Sequence, residues 1–262
     1  MGQLNGKIVF ISGASSGIGK ACAEGFAQAG AHLILCARSI EKIEEIAEKL
    51  KAQYQIEILT CKLDVQNKAA VNEVIDGLPN NWKKIDILIN NAGLARGLEK
   101  LHEGDMNDWD AMIDTNVKGL LYLTRKIVPF MLENKVNGHI INIGSTAGIH
   151  AYPGGAVYCA TKAAVKFISD GLRMDVVDKP IRVTNVQPGM VETNFSVIRF
   201  QGDQQKADHV YEGIKPLVAE DIANIVIFAA SAPPHVQICE VTVTPTNQAT
   251  AGIVHKEKVN LH

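Results

Sequence analysis

The sequence is poor in cysteine, and its cysteines form no motif. The chain has five of them, each isolated from the others: Cys22, Cys36, Cys61, Cys159 and Cys239. An odd number of scattered cysteines argues against a disulfide framework. The eight histidines also lack the spacing of metal ligands, so we expect no metal site.

An excess of positive charge is absent as well. Lysine and arginine number 26 against 28 aspartates and glutamates, which gives a formal net charge of −2. We therefore expect neither a nucleic acid nor a membrane partner. No apolar run approaches the roughly 18 residues that span a bilayer, and residues 1–6 do not resemble a secretion signal. These absences predict a cytoplasmic protein.

The chain has no linker. No tract rich in proline, glycine or serine interrupts the 262 residues, of which only nine are proline. Apolar residues make up 47% of the chain, enough for a substantial core. We predict a single domain that spans residues 1–262.

The chain does contain a regular alternation of short apolar runs with longer amphipathic stretches. The predicted strands cover residues 7–11, 32–36, 57–61, 85–89, 139–143, 182–186 and 240–243. The predicted helices cover residues 19–29, 40–53, 68–77, 107–133, 156–176 and 220–231. Pro129 should kink or shorten the fourth helix. The alternation predicts an α/β fold, a single-domain Rossmann-type doubly wound parallel sheet of about seven strands with helices on both faces.

Residues 193–211 depart from this regularity. The segment is polar, contains Gly202 and Asp203, and follows a predicted strand. Open parallel sheets place their ligand crevice at the carboxyl ends of the strands, so a substrate loop or short helical lid fits this position. A solvated surface excursion fits the composition equally well.

A glycine-rich turn, SGASSGIG, follows the first predicted strand. Glycine allows a tight turn and a close approach to a pyrophosphate, and the helix that follows offers free N–H donors. The residues expected to bind the cofactor here are Gly13, Ser15, Ser16, Gly17, Ile18 and Gly19. The glycines alone would fit a structural turn nearly as well, but their place at the first strand-to-helix junction favours a dinucleotide site.

The second predicted strand runs into Arg38 and Ser39 instead of an acidic residue. A site for NAD usually offers Asp or Glu to the adenosine ribose at this point. Arg38 can instead pair with the 2′-phosphate of NADP, and Ser39 adds a hydroxyl donor. We predict NADP as the cofactor. An arginine that merely flanks a helix is the alternative, and it leaves the missing acid unexplained.

Tyr158 and Lys162 stand four residues apart in a predicted helix, so their side chains share one face. A tyrosine has an ordinary pKa of about 10, and a nearby ammonium lowers it, which makes an acid/base catalyst. Ser145 follows the strand 139–143 and is placed to hydrogen-bond a substrate oxygen. A Tyr-x-x-x-Lys pair alone often arises by chance. The pair becomes a strong signal of catalysis because the glycine turn, Ser145 and the Tyr-x-x-x-Lys pair follow one another in this order along the chain.

Several motifs in the same order show that the chain resembles the short-chain dehydrogenase/reductase family over essentially its whole length. They are SGASSGIG at 12–19, Leu63-Asp64-Val65, Asn90-Asn91-Ala92-Gly93, Asn116 within DTNVKG, Ser145, Tyr158-Cys159-Ala160-Thr161-Lys162 and Pro188-Gly189. Ser12 stands where the family more often has threonine, which keeps the hydroxyl.

The resemblance implies an oxidoreductase whose catalytic tetrad is Asn116, Ser145, Tyr158 and Lys162. Tyr158 would be the acid/base and Ser145 would orient the substrate. Lys162 would also hold the nicotinamide ribose, and Asn116 would support a proton-relay water. Further implied cofactor contacts are Asp64 and Val65 near adenine, Asn90 near the adenosine ribose, and Pro188, Gly189 and Thr193 around the nicotinamide, with Ala92, Gly93 and Val191 beside them. Family members usually form dimers or tetramers through the helices predicted at 107–133 and 156–176, so the resemblance also implies a homo-oligomer.

Residues 188–203 and 245–248 are similar to the branch of the family that acts on 3-hydroxy acids of the serine, allo-threonine and 3-hydroxypropionate type. Arg199 lies in the expected lid, and a guanidinium binds a carboxylate by two parallel hydrogen bonds. The predicted substrate-binding residues are therefore Ser145, Tyr158 and Arg199. A surface salt bridge between Arg199 and Asp203 is the alternative.

The predicted reaction is hydride transfer between NADP(H) and the hydroxyl or carbonyl of a small 3-hydroxy acid. A reductase of a larger or uncharged carbonyl compound would use the same motifs. A non-catalytic module that senses NADPH is an alternative of another class, because a fold alone does not establish catalysis.

Overall fold

In the computed structural model, which describes residues 3–256, seven parallel strands form the main sheet. They are β1 (Ile8–Ser12), β2 (His32–Ala37), β3 (Ile58–Lys62), β4 (Ile87–Asn90), β5 (Gly138–Ile143), β6 (Ile181–Pro188) and β7 (Glu240–Val243). Their order is β3-β2-β1-β4-β5-β6-β7. The strand order reverses between β1 and β4, which is where such sheets bind ligands. The predicted Rossmann-type sheet is thereby confirmed.

Helices cover both faces of this sheet. They are α1 (Gly17–Gln28), α2 (Ile40–Gln53), α3 (Lys68–Asp76), α4 (Met106–Ile113), α5 (Leu120–Glu133), α6 (Ala156–Asp175), α7 (Phe195–Arg199), α8 (Gln204–His209) and α9 (Ala219–Ala230). Helices α1, α2 and α9 pack on one face, and α3, α5 and α6 pack on the other. A short antiparallel pair, β8 (Gln248–Thr250) and β9 (Ile253–Val254), follows β7.

The central strands bury both of their faces. Val9, Ile11 and Leu33 belong to the core under α1, α2 and α9. Their neighbours Phe10 and Ile34 belong to the core on the opposite face. All five side chains are fully buried. Strands covered on both sides read as continuous apolar runs, which is why these were visible in the sequence.

The helix predicted over residues 107–133 is wrong in one respect. The structure has α4 and α5 separated by a π-helical turn, Asp114–Gly119. Such a turn inserts one extra residue into a helix and is frequent at functional sites. Pro129 lies inside α5, and the helix continues to Glu133, so the proline does not end it.

No helix within residues 3–256 is both long enough and apolar enough to cross a membrane. In the same part of the chain, no group of three or more histidines, cysteines or carboxylates is placed to hold a metal ion.

Asp86 ties the start of β1 to the start of β4. Its side chain is only 8% exposed and lies 2.8 Å from the Lys7 ammonium. Its second oxygen accepts a hydrogen bond of 2.9 Å from the Ile8 backbone N–H. By contrast, Asp76 pairs with Lys126 at the surface and is 58% exposed.

We expect Asp86→Ala to lower the free energy of unfolding by about 2 kcal/mol, because it removes the charged acceptor of a backbone donor at a buried position. Asp76→Ala should change it by less than about 1 kcal/mol, because exposed ion pairs contribute little. Urea denaturation of both variants measures the difference. Equal losses would show that the burial of Asp86 does not matter.

Candidate active site

A cleft of about 510 Å³ lies at the carboxyl ends of the central strands. It gathers most of the residues predicted from the sequence: Gly13, Ser15, Ser16, Gly17, Ile18, Arg38, Ser39, Asp64, Val65, Ala92, Gly93, Ser145, Tyr158, Lys162, Pro188, Gly189, Val191, Thr193 and Arg199. Three predicted residues, Gly19, Asn90 and Asn116, are not on its wall.

The turn after β1 is held against the end of β4. The Ser12 hydroxyl donates to the Ile89 carbonyl at 3.2 Å and accepts from the N–H groups of Asn91 and Ala92, each at 3.1 Å. Gly13 has a φ of +67°, and a Cβ there would come within 2.9 Å of the Ala92 Cα. Glycine is thus required at this position, and Ser12 performs the bridging role with its hydroxyl.

The N-terminus of α1 opens towards the cleft with its N–H groups unprotected. Ser16 makes no side-chain capping bond, and the first turn contains no acidic residue. A Cβ at Gly19 would overlap the Gly13 carbonyl oxygen. Gly19 therefore lets the helix pack against the turn and does not line the cleft. The free helix terminus suits an anionic group such as a pyrophosphate.

The end of β2 carries a free cation. Arg38 is exposed, and it makes no ion pair or side-chain hydrogen bond within residues 3–256. Ser39 lies beside it on the same wall of the cleft. Further along the wall, Asp64 is held in place by the hydrogen bond that its Oδ1 accepts from the Gln66 N–H at 3.1 Å.

Asn90 does not reach the cleft with its side chain. It is 4% exposed, and its amide donates to Thr124 at 3.1 Å and to Asn142 at 2.9 Å inside the sheet-helix layer. The neighbouring Asn91 lines the cleft instead. Successive strand residues point to opposite faces, so the Asn90 side chain turns into this layer, and its place near the adenosine ribose remains a prediction.

Ser145, Tyr158 and Lys162 meet at the inner end of the cleft. Ser145 follows β5, and its Oγ accepts the Ala147 N–H at 3.1 Å. Tyr158 and Lys162 stand one turn apart in α6, and both are buried. The Lys162 ammonium donates to the Ile143 carbonyl at 2.8 Å and lies 6.0 Å from the centre of the Tyr158 ring.

Burial and a neighbouring guanidinium act on the Tyr158 phenol in opposite directions. Burial raises the pKa of Tyr158, and the Arg199 guanidinium is the largest opposing influence, followed by the hydrogen bond to Ser145. The Arg199 Cζ lies 5.1 Å from the centre of the Tyr158 ring. Burial also lowers the pKa of Lys162 to about 8. Arg199 is therefore a second cation beside Tyr158, and the effect of Lys162 on the Tyr158 pKa, expected from the sequence, remains a prediction.

Asn116 lies in the π-helical turn, behind the cleft wall. Its Nδ2 donates to the Leu94 carbonyl at 2.8 Å and to the Thr161 hydroxyl at 3.0 Å. Its Oδ1 accepts the Leu94 N–H at 2.8 Å. Both amide hydrogens are therefore in use, and the side chain positions the neighbouring segments. Support of a proton-relay water by Asn116 remains a prediction.

Arg199 is the last residue of α7, in the segment 193–211. Its Nη2 donates to the Tyr152 hydroxyl at 2.9 Å, and its carbonyl accepts the Gly97 N–H at 3.1 Å. The alternative salt bridge to Asp203 is wrong, because Asp203 pairs with Lys206 at 3.3 Å. The guanidinium is thus directed at the site instead of at the surface.

Sequence reasoning did not identify Tyr152. It precedes α6 in a loop rich in proline and glycine, and an aromatic residue just before the catalytic helix was the available signal. Gln248 was also missed as a site residue, although it belongs to one of the segments similar to the 3-hydroxy acid branch. Its Oε1 accepts the Met190 N–H at 2.8 Å and so fixes the chain after β6.

Known proteins similar to this chain agree with the geometry. The short chain dehydrogenase family matches residues 7–203. An NADP-dependent 3-hydroxy acid dehydrogenase of Schizosaccharomyces pombe is 45% identical over 260 residues, which are 98% of this chain and 100% of the relative. Sulfoacetaldehyde reductase 2 of Chromohalobacter salexigens is 43% identical over 92% of this chain and 95% of its own. The closed form of a serine dehydrogenase complexed with NADP+ has a TM-score of 0.88 and 43% identity, and the match covers 95% of this chain and 100% of that one. This chain belongs to the short-chain dehydrogenase family.

Proposed function

We propose that the chain is an NADP-dependent oxidoreductase that transfers a hydride between NADP(H) and the hydroxyl or carbonyl of a small 3-hydroxy acid. The observation that carries this proposal is the position of Arg199. Its guanidinium lies 5.1 Å from the ring of the catalytic tyrosine and has no acidic partner within residues 3–256. A carboxylate on the substrate would supply that partner at the place where the reacting hydroxyl meets Tyr158.

Three observations indicate that the cleft can bind NADP. The uncapped N-terminus of α1 suits the pyrophosphate, and the turn at Gly13 and Gly17 brings backbone close to it. The unpaired Arg38 suits a 2′-phosphate. The same cleft continues to Tyr158 and Lys162, so one bound dinucleotide would reach the catalytic residues. When bound, NADP accepts or supplies the hydride.

The residues of the chain supply the proton chemistry and the orientation. In the oxidation direction Tyr158, as the phenolate, takes the proton of the substrate hydroxyl. Ser145 hydrogen-bonds the same oxygen and holds it next to the phenol. Lys162, fixed by the Ile143 carbonyl, is placed to donate to a ribose hydroxyl in the cleft. In the reduction direction Tyr158 returns the proton to the carbonyl oxygen.

The names of the relatives support an acidic substrate. They describe dehydrogenases of a 3-hydroxy acid and of serine and a reductase of sulfoacetaldehyde, all of them small molecules with an acid group. A large uncharged carbonyl compound would leave the Arg199 charge unpaired. A module that only senses NADPH has no need of the arrangement of Ser145, Tyr158 and Lys162.

The proposal includes assembly of the chain as a homo-oligomer, a dimer or tetramer. Helix α6 and the residues just after it expose large apolar side chains: Phe167 is 71% exposed, Met174 74% and Val177 83%. Apolar surface of this kind favours burial against another subunit. The cytoplasmic location expected from the sequence and the lid role of residues 193–211 also belong to the proposal.

Turnover of 3-hydroxypropionate and serine, compared with 1-propanol and 1,3-propanediol, tests the substrate. We expect NADPH formation with the acids alone, and Arg199→Ala should lower kcat/KM for the acids by about 100-fold, because a charge-assisted bidentate contact is lost. Absorbance of NADPH follows the reaction. Equal turnover of the neutral alcohols, or an active Arg199→Ala variant, would contradict the proposed substrate class and leave the hydride-transfer mechanism intact.

Arg38→Ala tests the choice of cofactor. Removing the only cation proposed for the 2′-phosphate should raise the Kd of NADP by about 10-fold or more and leave that of NAD nearly unchanged. Fluorescence of the bound reduced cofactors measures both. Lys51→Ala, at the exposed end of α2, removes the same charge away from the cleft and serves as the control. A similar loss of NAD binding in Arg38→Ala would show that Arg38 does not recognise the 2′-phosphate of NADP.

The pH dependence of kcat/KM, which reports the free enzyme, tests the role of Arg199 at Tyr158. Oxidation rises with pH as Tyr158 loses its proton. Arg199→Gln removes the largest influence that lowers the Tyr158 pKa, whereas burial and the neighbouring Tyr152 and Cys159, which raise it, remain. The rising limb should therefore move to higher pH, and Arg199→Lys should keep it in place. Identical profiles for wild type and Arg199→Gln would show that another group sets this pKa.

A further inference from the structure

A small side chamber lies behind Arg199, next to the main cleft. Its volume is about 20 Å³, room for one water molecule or one end of a small acid group. Arg199, Tyr152 and Tyr158 line both the chamber and the cleft, so the two spaces meet at the catalytic tyrosine. The opposite wall comes from the segment after β4 and includes Arg96 and Glu99.

Arg96 lines this chamber and is an unpaired cation within residues 3–256. The residue is half-buried, and its Nε is buried without a hydrogen-bond partner. Within residues 3–256 it forms no ion pair and no side-chain hydrogen bond. A buried donor of a charged group is unfavourable unless a ligand or water binds it. The mechanism proposed above makes no use of this residue.

Arg199 has the same unsatisfied atom. Its Nε is also buried without a partner, while its Nη2 is held by the Tyr152 hydroxyl. Two guanidinium groups on one small chamber repel each other when nothing lies between them. An anion placed between them would remove the repulsion and supply a hydrogen-bond acceptor to the guanidinium groups.

Glu99 does not neutralise this pair. The residue lines the chamber, but it is exposed and makes no ion pair within 4.0 Å of either arginine. The half-buried charges of the chamber wall are therefore the two positive ones. An acid group of the substrate matches it, whereas a neutral end group does not.

We propose that Arg96 is a specificity-determining residue, which with Arg199 forms a two-guanidinium site for the acid group of a small carboxylate or sulfonate substrate. This rests on the proposed function, because it assigns the far end of the same substrate. Both arginines would contact the acid group, but only Arg199 also lies against the Tyr158 ring and affects its proton. Arg96 lines the chamber and not the main cleft.

The experiment compares Arg96→Ala, Arg96→Lys and wild type. Arg96→Ala should raise KM for 3-hydroxypropionate by about 10-fold through loss of a charge-assisted contact, with kcat and its pH profile changed less than about 2-fold. Arg96→Lys should recover part of the loss. The Ki values of propionate and ethanesulfonate, anions without a reacting hydroxyl, should rise with KM, and the Kd of NADP should stay constant.

Two controls accompany these variants. Arg125→Ala removes the charge of an exposed arginine that lines neither the chamber nor the cleft, and it should leave KM unchanged. Glu99→Gln removes a negative charge from the chamber wall and should lower KM for the acids, because it removes a repulsion on the bound anion.

The outcomes separate the two proposals. Unchanged KM and Ki in Arg96→Ala, in an enzyme that still prefers acids and still depends on Arg199, would overturn the role of Arg96 alone. A wild type that does not prefer acids to neutral alcohols would overturn the proposed substrate class itself. A fall in kcat with a shifted pH profile in Arg96→Ala would show that Arg96 also acts on Tyr158, and it would overturn the assignment of Arg96 to substrate specificity.

Discussion

The site depends on the hydrogen bonds of one side chain, the amide of Asn116. It binds the backbone of Leu94 on both its N–H and its carbonyl, and it also binds the Thr161 hydroxyl in α6. These contacts join the segment after β4 to the helix that carries Tyr158 and Lys162. Asn116 lies in the π-helical turn, which joins α4 to α5. A residue in a local irregularity of the helix thus connects the segment after β4 to α6.

Burial is the second constraint, and it acts on the two catalytic groups in opposite senses. It raises the pKa of Tyr158 and lowers that of Lys162, since it disfavours the phenolate in one case and the ammonium in the other. Lys162 is compensated by the Ile143 carbonyl, which stabilises its charged form. At Tyr158 the effect of burial is larger, and Arg199, which α7 brings over the ring, opposes it. The segment after β6 thus contributes a charge to the surroundings of Tyr158.

The fold was predictable to the extent that it rests on burial of whole strands. Val9 to Ile11 and Leu33 to Leu35 read as apolar runs because helices cover both faces, and the family resemblance and the sheet were confirmed. The π-helical turn was not predictable from periodicity, because apolar residues continue at helical spacing on both sides of it. Helices α7 and α8 are five and six residues long, too short for a periodic signal. The pair β8 and β9 is shorter still.

The site residues also fall into two groups, those that could be predicted from local spacing and those whose position depends on the packing of the fold. Those that a local spacing defines, such as Tyr158 with Lys162 or Gly13 with Gly17, could be named from the sequence and line one cleft. The side-chain direction of Asn90 could not be predicted from the sequence, because it depends on which face of β4 the residue occupies. The presence of Arg199 beside Tyr158 was even harder to predict from the sequence. A lysine one turn away looks like the obvious partner, but distance in the helix does not decide which acceptor an ammonium binds. Only the packing of α7 on α6 brings Arg199 closer to the ring than Lys162, at 5.1 Å against 6.0 Å. A substrate acid group that pairs with Arg199 would therefore also weaken its hold on the phenolate, so substrate binding and the acidity of Tyr158 are coupled through one guanidinium.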